Sequence, residues 1–238
     1  MDDVLAHLAN KIWAKFLTWP ENKRFLVGIA GIPGSGKTTL SKRLTSAINA
    51  RHASTSPDSP PIAAFVPMDG FHYTRAQLDA MPDPAEAHAR RGAEFTFDGE
   101  AFAALVRRLA EPLDGETEAV LAPSFDHAVK DPREGDIRVE RGQRIVVLEG
   151  NYLLLTLPPW STTHPLYAHT LFISAPPSLA RRRIAARHLA TGLAPTLAAA
   201  DQRAVDNDLP NGEYIVQHLR REGVDDVVES LEDGLWAE

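Results

Sequence analysis

The run Phe25-Leu26-Val27-Gly28-Ile29-Ala30-Gly31-Ile32-Pro33-Gly34-Ser35-Gly36-Lys37-Thr38 decides how the rest of the chain is read. Its first part, Phe25 to Ala30, is a short unbroken apolar stretch, as expected of a parallel-sheet strand buried on both faces. Gly31 to Thr38 then matches the pattern GxxxxGK[ST] in full, and Thr38 to Ala50 reads as a helix. Strand, glycine-rich loop and helix in that order are the context the pattern requires. Glycine permits backbone torsions closed to other residues, so successive amides can turn inward on phosphate oxygens. The following helix adds free N–H groups and the positive end of its dipole. Gly31, Gly34, Ser35, Gly36, Lys37, Thr38 and Thr39 are therefore the expected nucleotide contacts. Lys37 would neutralise the β- and γ-phosphates, and the Thr38 hydroxyl would ligate Mg²⁺. ATP and Mg²⁺ are the implied cofactors.

Working outward, Ile145-Val146-Val147-Leu148-Glu149-Gly150 is a second apolar strand, and it ends in a carboxylate. A P-loop site needs such a group beside the loop to hold Mg²⁺ or its water shell, which nominates Glu149. Further β-rich runs at Ile62 to Val66, Thr170 to Ser174 and Val224 to Val228 complete an expected five-stranded parallel sheet. Helices are predicted at residues 2–18, where Val4, Leu5, Leu8, Ile12 and Phe16 share one face, and at Gly99 to Ala110, Ser178 to Ala190 and Glu213 to Arg221. The fold class is thus α/β, a three-layer sandwich with helices on both faces of the sheet. Residues 1–238 read as a single domain. An insertion at about 70–142 holds one convincing helix among turn-rich segments, and an insertion of that length in a compact domain is usually functional.

Composition narrows the function. The chain has 238 residues, 44% of them hydrophobic, and a net charge of −7, which speaks against a general nucleic-acid surface. It has no cysteine, which excludes disulfides, thiolate metal sites and cysteine nucleophiles. No apolar run approaches the ~18 residues of a membrane span, and the acidic start at Asp2 and Asp3 does not resemble a targeting segment. A cytoplasmic location and a small-molecule partner follow as expectations. The sequence leaves a homodimer open.

The motifs, in this order, resemble the phosphoribulokinase/uridine kinase family, including its pantothenate kinase-like and fungal YFH-type members. Val66-Pro67-Met68-Asp69-Gly70-Phe71-His72 resembles the family's second-strand motif, and Arg91-Gly92-Ala93-Glu94-Phe95-Thr96-Phe97-Asp98 its basic-Gly-x-x-x-Thr-Phe-Asp segment. Pro123-Ser124-Phe125-Asp126-His127 is similar to its Pro-x-aromatic-Asp region, and Glu149-Gly150-Asn151-Tyr152-Leu153-Leu154 to its Glu-Gly-x-x-Leu-Leu stretch. Arg183, Arg187, His188 and Gly192 fall where a lid helix carries its arginines, and Asn207-Asp208-Leu209-Pro210-Asn211 resembles the Asp-x-Pro-Asn element. The likeness runs from about residue 25 to about 230. It implies a P-loop kinase strand order, a lid at about 178–195, and phosphoryl transfer to an alcohol.

The resemblance implies that Asp69 is the catalytic base. A carboxylate just past the carboxyl end of a parallel strand also sits where α/β sheets bind ligands, although an Asp-Gly turn is common in any fold. Glu149 is the competing candidate. Arg183 and Arg187, four apart on a predicted helix, share a face, and would close over the transferring phosphate with Gly192 as hinge; a solvated basic face is the alternative. Together with Lys37 they complete the expected catalytic set. His72, Arg91, Asp126 and His127 are the leading acceptor contacts, and Asp98 doubles as a plausible helix cap. Two departures from the family pattern bear on the acceptor: Gly70 stands where uridine kinases commonly have serine, and Glu94 where proline is frequent. A GTP switch would carry Asn-Lys-x-Asp, which is missing here. An ATPase or regulatory nucleotide-binding protein is the remaining alternative to a kinase.

Overall fold

The structure, a computed structural model, describes residues 1–126 and 128–231. His127, one of the expected acceptor contacts, lies outside the described residues. The elements run α1 (Asp2–Phe16), β1 (Phe25–Gly31), α2 (Lys37–Thr55), β2 (Ala63–Pro67), α3 (Arg75–Asp79), α4 (Pro84–Ala89) and α5 (Gly99–Ala110). They continue with β3 (Val120–Asp126), β4 (Asp131–Val139), β5 (Ile145–Gly150), β6 (His169–Ser174), α6 (Pro177–Ala190), α7 (Leu197–Arg203), α8 (Leu209–His218) and β7 (Asp226–Glu229).

The main sheet has five strands in the order β2-β5-β1-β6-β7. Every pairing in it is parallel. Alternate residues of one strand feed different cores, because side-chain direction reverses at each residue. Phe25, Val27 and Ile29 pack with Leu8, Ile12, Leu40, Leu44 and Ile48 from α1 and α2. Leu26 and Ala30 face the other way, into Phe102, Val106, Leu109, Tyr152 and Trp160. Helices on both faces make the expected three layers. β1 is fully buried throughout, which explains its near-continuous hydrophobicity.

Two sequence expectations change. The segment at 70–142 holds an antiparallel hairpin, β3 with β4, and two short helices, α3 and α4, in addition to the expected helix α5. Arg133, Glu134, Gly135 and Asp136 are exposed in β4, so the strand carries no apolar alternation and is invisible to a periodicity reading. The expected helix at Glu213 to Arg221 begins four residues earlier, at Leu209 with Pro210 in its first turn, and ends at His218. Proline's fixed φ suits a helix start, and its missing N–H has no partner there in any case.

Candidate functional site

Strand register builds one edge of the sheet. Ala30 lies opposite Gly150 and Ile29 opposite Glu149 on one side of β1. Pro67 lies opposite Glu149 on the far side of β5. The loop after β1, the carboxylate of β5 and Asp69, two residues past the end of β2, therefore emerge side by side. Ligands of open α/β sheets bind at this end.

The glycine loop has the geometry its composition predicts. Gly34 and Gly36 lie in the left-handed region at φ 74° and 81°, and α2 starts directly at Lys37 with no side-chain cap on its first amides. A Cβ at Gly31 would stand 2.6 Å from the Ile173 carbonyl oxygen, and one at Gly34 2.7 Å from that of Ala180. The loop is thus pressed between β6 and α6. The hydroxyls of Ser35 and Thr39 and the Asn151 amide oxygen are buried without a hydrogen-bond partner. Buried polar atoms of this kind cost free energy unless they are satisfied, and here they gather round a cradle of uncapped amides. The two hydroxyls and the loop amides are donors and fit a polyphosphate; the Asn151 oxygen is an acceptor and stands outside that set. Lys37 Nζ lies 3.9 Å from Glu149 Oε1, with both side chains largely buried. This places a cation and a carboxylate at the position where a nucleotide's phosphates and a divalent ion would be held.

The residues nominated in α6 divide. Arg183 donates to Ser230 Oγ at 2.7 Å and to the Leu231 carbonyl at 2.6 Å, and reaches the Gly34 carbonyl at 3.5 Å. It joins the loop to the end of β7. Arg187, exposed on the same helix, adds its charge to a different group, the half-buried Asp208 and the buried His188. Burial pushes the Asp208 carboxyl above the ordinary range, opposed by the charges of His188, Arg187, Arg203 and Lys37. Burial pushes His188 down, with Asp208 opposing. Their closest atoms, His188 Nε2 and Asp208 Oδ2, are 3.5 Å apart. Gly192, at φ 67°, has no heavy atom near its virtual Cβ and follows the helix's last turn.

On the acceptor side, Asp69 sits in a short 3-10 turn, Met68–Phe71, that continues β2. His72 holds the Asp69 carbonyl through Nδ1 at 2.8 Å. Its ring packs 3.9 Å from the Phe97 ring and 4.8 Å from Phe125, centroid to centroid. Arg91 is a structural clamp: it donates to the Lys130 carbonyl at 2.5 Å, the Tyr73 carbonyl at 2.8 Å and Asp131 at 3.1 Å, with its guanidinium over Phe125. Asp126 accepts from the amides of Ala128 and Val129 and pairs with Arg133 at 2.8 Å, so it shapes the hairpin turn. Asp98 caps α5 through the Ala101 amide.

Sequence reasoning assigned no role to Asn151, Arg203 or Asp208, and passed over Arg90. Asn151 and Asp208 lay inside quoted motifs, so a signal existed. Arg203 and Arg90 had none, because only the folded chain brings them to the site.

No family model matches the chain. It is 44% identical over 197 residues to a Schizosaccharomyces pombe protein provisionally named a uridine kinase, covering 83% of this chain and 80% of that one. It is 34% identical over 245 residues to the ATP-dependent kinase YFH7 of Lachancea thermotolerans, covering 90% of this chain and 67% of that protein. The chain belongs to the phosphoribulokinase/uridine kinase family of P-loop kinases. Among solved members, a Silicibacter protein provisionally called a fructose transport system kinase superposes with a TM-score of 0.77 at 32% identity, covering 94% of this chain and 98% of its own. YFH7 of Saccharomyces cerevisiae follows at a TM-score of 0.76 and 27% identity, with 96% of each chain covered. Within this family the strand order seen here, with the glycine loop at the centre of the sheet, is the expected one. No described helix is long and apolar enough to cross a membrane.

Proposed function

We propose that the chain transfers the γ-phosphoryl group of ATP to a hydroxyl of a small metabolite, with Asp69 as the base. The observation that carries this is the strand register, which brings the glycine loop, Glu149 and the Asp69 turn to one edge of the sheet. The loop amides and Lys37 bind and orient the triphosphate. Thr38 and Glu149 would hold Mg²⁺, which would neutralise phosphate charge when bound. Asp69 takes the acceptor's hydroxyl proton as the new O–P bond forms at the γ-phosphorus and the bond to the β–γ bridging oxygen breaks, leaving ADP. The ion pair of Glu149 with Lys37 ties that carboxylate to the nucleotide side and favours Asp69 over Glu149 as base. Arg187 closes on the transferring group. Arg183, held by Ser230 and Leu231, anchors the loop at the nucleotide end. His72, with Phe125 and Arg91 behind it, lines the acceptor side. The partner is a small alcohol rather than nucleic acid or membrane, and the protein acts in the cytoplasm.

The test is ATP consumption with Mg²⁺ across uridine, fructose, pantothenate and a set of polyols, run on the wild type and on Asp69→Asn. Turnover that depends on one alcohol and falls about 10²-fold or more in the variant, with ATP binding kept, is the expected result. Turnover unchanged in Asp69→Asn would remove the base assignment.

A further inference from the structure

Between α7 and α8 the chain does not stay α-helical. Ala204–Asp208 forms a π-helical turn, and such wide turns in otherwise α-helical segments frequently mark functional positions. Its last two residues face opposite partners. Asn207, 5% exposed, accepts from Arg90 Nε at 2.9 Å and donates to the Arg91 carbonyl at 3.1 Å. Asn211, one turn on and equally buried, accepts from Arg90 Nη2 at 3.0 Å. The guanidinium of Arg90 is thus held in a two-pronged grip by one face of the helix. Asp208, next in sequence, faces α6 instead, with His188 Nε2 at 3.5 Å from its Oδ2, and the charges of Arg187, Arg203 and Lys37 add to the field in which it sits. Its Oδ2 and the Nε of Arg203 are both buried without a hydrogen bond.

Arg90 belongs to the segment that shapes the acceptor side. Its neighbour Arg91 clamps the β3–β4 hairpin through Lys130 and Asp131. Gly92 gives its carbonyl to the Tyr152 hydroxyl at 2.6 Å, and Glu94 accepts from the indole of the buried Trp160 at 2.7 Å. A chain of contacts therefore runs from the hairpin through Arg91 and Arg90 to Asn207, then one residue along the backbone to Asp208 and, through His188, to α6 beside the glycine loop.

We propose that the π-helical turn couples the two halves of the active site, with Arg90 the positioning residue on the acceptor side and Asp208 the positioning residue on the phosphate side. Asp208 meets α6 through His188, and α6 lies against the glycine loop through Ala180 and Arg183. Phosphate charge entering the loop beside Lys37 shifts α6, and His188 carries the shift to Asp208. The turn passes it through Asn207 and Arg90 to the segment that presents Arg91 and the hairpin. Coupling of this kind needs an element that both sites bias, and this turn is packed against both. The inference rests on the kinase reading given above, but its test needs no acceptor.

The experiment is amide hydrogen exchange on the full chain, with and without Mg²⁺ and a non-hydrolysable ATP analogue. The wild type is expected to gain about tenfold protection or more at residues 184–194 and also at residues 88–97. Arg90→Lys keeps the charge but loses the fork, and Arg90→Ala loses both. Each should bind the analogue within about threefold of wild type and protect 184–194, yet leave 88–97 unprotected. Asp208→Asn, close in shape, is expected to lose the protection at 88–97 while the analogue still binds, and it gives the reading if the Arg90 variants do not fold. No protection of 88–97 in the wild type, or equal protection in the variants, overturns the coupling. Failure of the wild type to bind the analogue overturns the nucleotide-site reading itself, and the inference with it.

Discussion

Replacing Gly70 by alanine places a Cβ 2.1 Å from the Pro123 carbonyl oxygen, 2.5 Å from its carbon and 3.1 Å from the Ser124 amide. All three obstacles are backbone atoms of β3, so no side chain can swing aside. Opening the closest contact to a normal separation of about 3.4 Å requires the hairpin to retreat by about 1.3 Å from the Asp69 turn. Overpacking of this kind costs about 1–3 kcal/mol, and the rigidity of the obstacle puts this site at the upper end. For a chain of this size about 3 kcal/mol lowers Tm by roughly 6–12 °C. The assay is thermal unfolding of wild type, Gly70→Ala and Gly70→Ser, followed by turnover below the transition. Because the retreat drags Pro123 to Asp126 away from His72 and Asp69, the surviving folded protein should lose acceptor-dependent turnover by about tenfold or more while still binding ATP. Serine, common here in uridine kinases, should behave like alanine or worse. A Gly70→Ala protein with wild-type Tm and wild-type turnover would refute both the close docking of the hairpin and its role in shaping the acceptor side.

Lys37→Ala removes the loop's ion pair with Glu149, 3.9 Å across. It should weaken ATP binding and lower turnover by about 10²-fold or more, measured by analogue titration and single-turnover transfer. His169 is fully buried between Lys15, Asp225 and Asp226, and burial holds its pKa below the ordinary value. The unfolded chain then binds more protons than the folded one below about pH 6.5, so stability is present above that pH and declines as pH falls. Denaturant midpoints between pH 7.5 and 5.5 should fall. The fall should be smaller in His169→Gln, and an identical slope in the variant would exclude His169 as a source.

The sequence by itself determined the central motif and the sheet. Local chemistry sufficed for both: glycines at the positive-φ positions, an apolar run long enough for a buried strand, and a carboxylate at a strand end. Strands β1, β5 and β6 were legible because both of their faces are covered, which leaves continuous hydrophobic stretches; β7, at the end of the sheet with Val227 exposed, has no such stretch. The β3–β4 hairpin was not legible, because the exposed residues of β4 carry no alternation and its pairing is set by contact with the Asp69 turn. The roles within α6 also needed the fold. Arg183 and Arg187 share a helix face by spacing, yet Arg183 is bonded to the Ser230 hydroxyl and Leu231 carbonyl past the end of β7, whereas Arg187 is exposed. Arg91 and Asp126 carried the right residue types for ligand contacts, and the structure shows them already bonded to the hairpin. Arg90, Arg203 and Asp208 lie far apart in sequence from the glycine loop. Only the packing of α6 and the π-helical turn against each other and against the 88–97 segment gives Arg90 its partners Asn207 and Asn211 and Asp208 its partner His188, since burial and pairing are properties of the assembled chain.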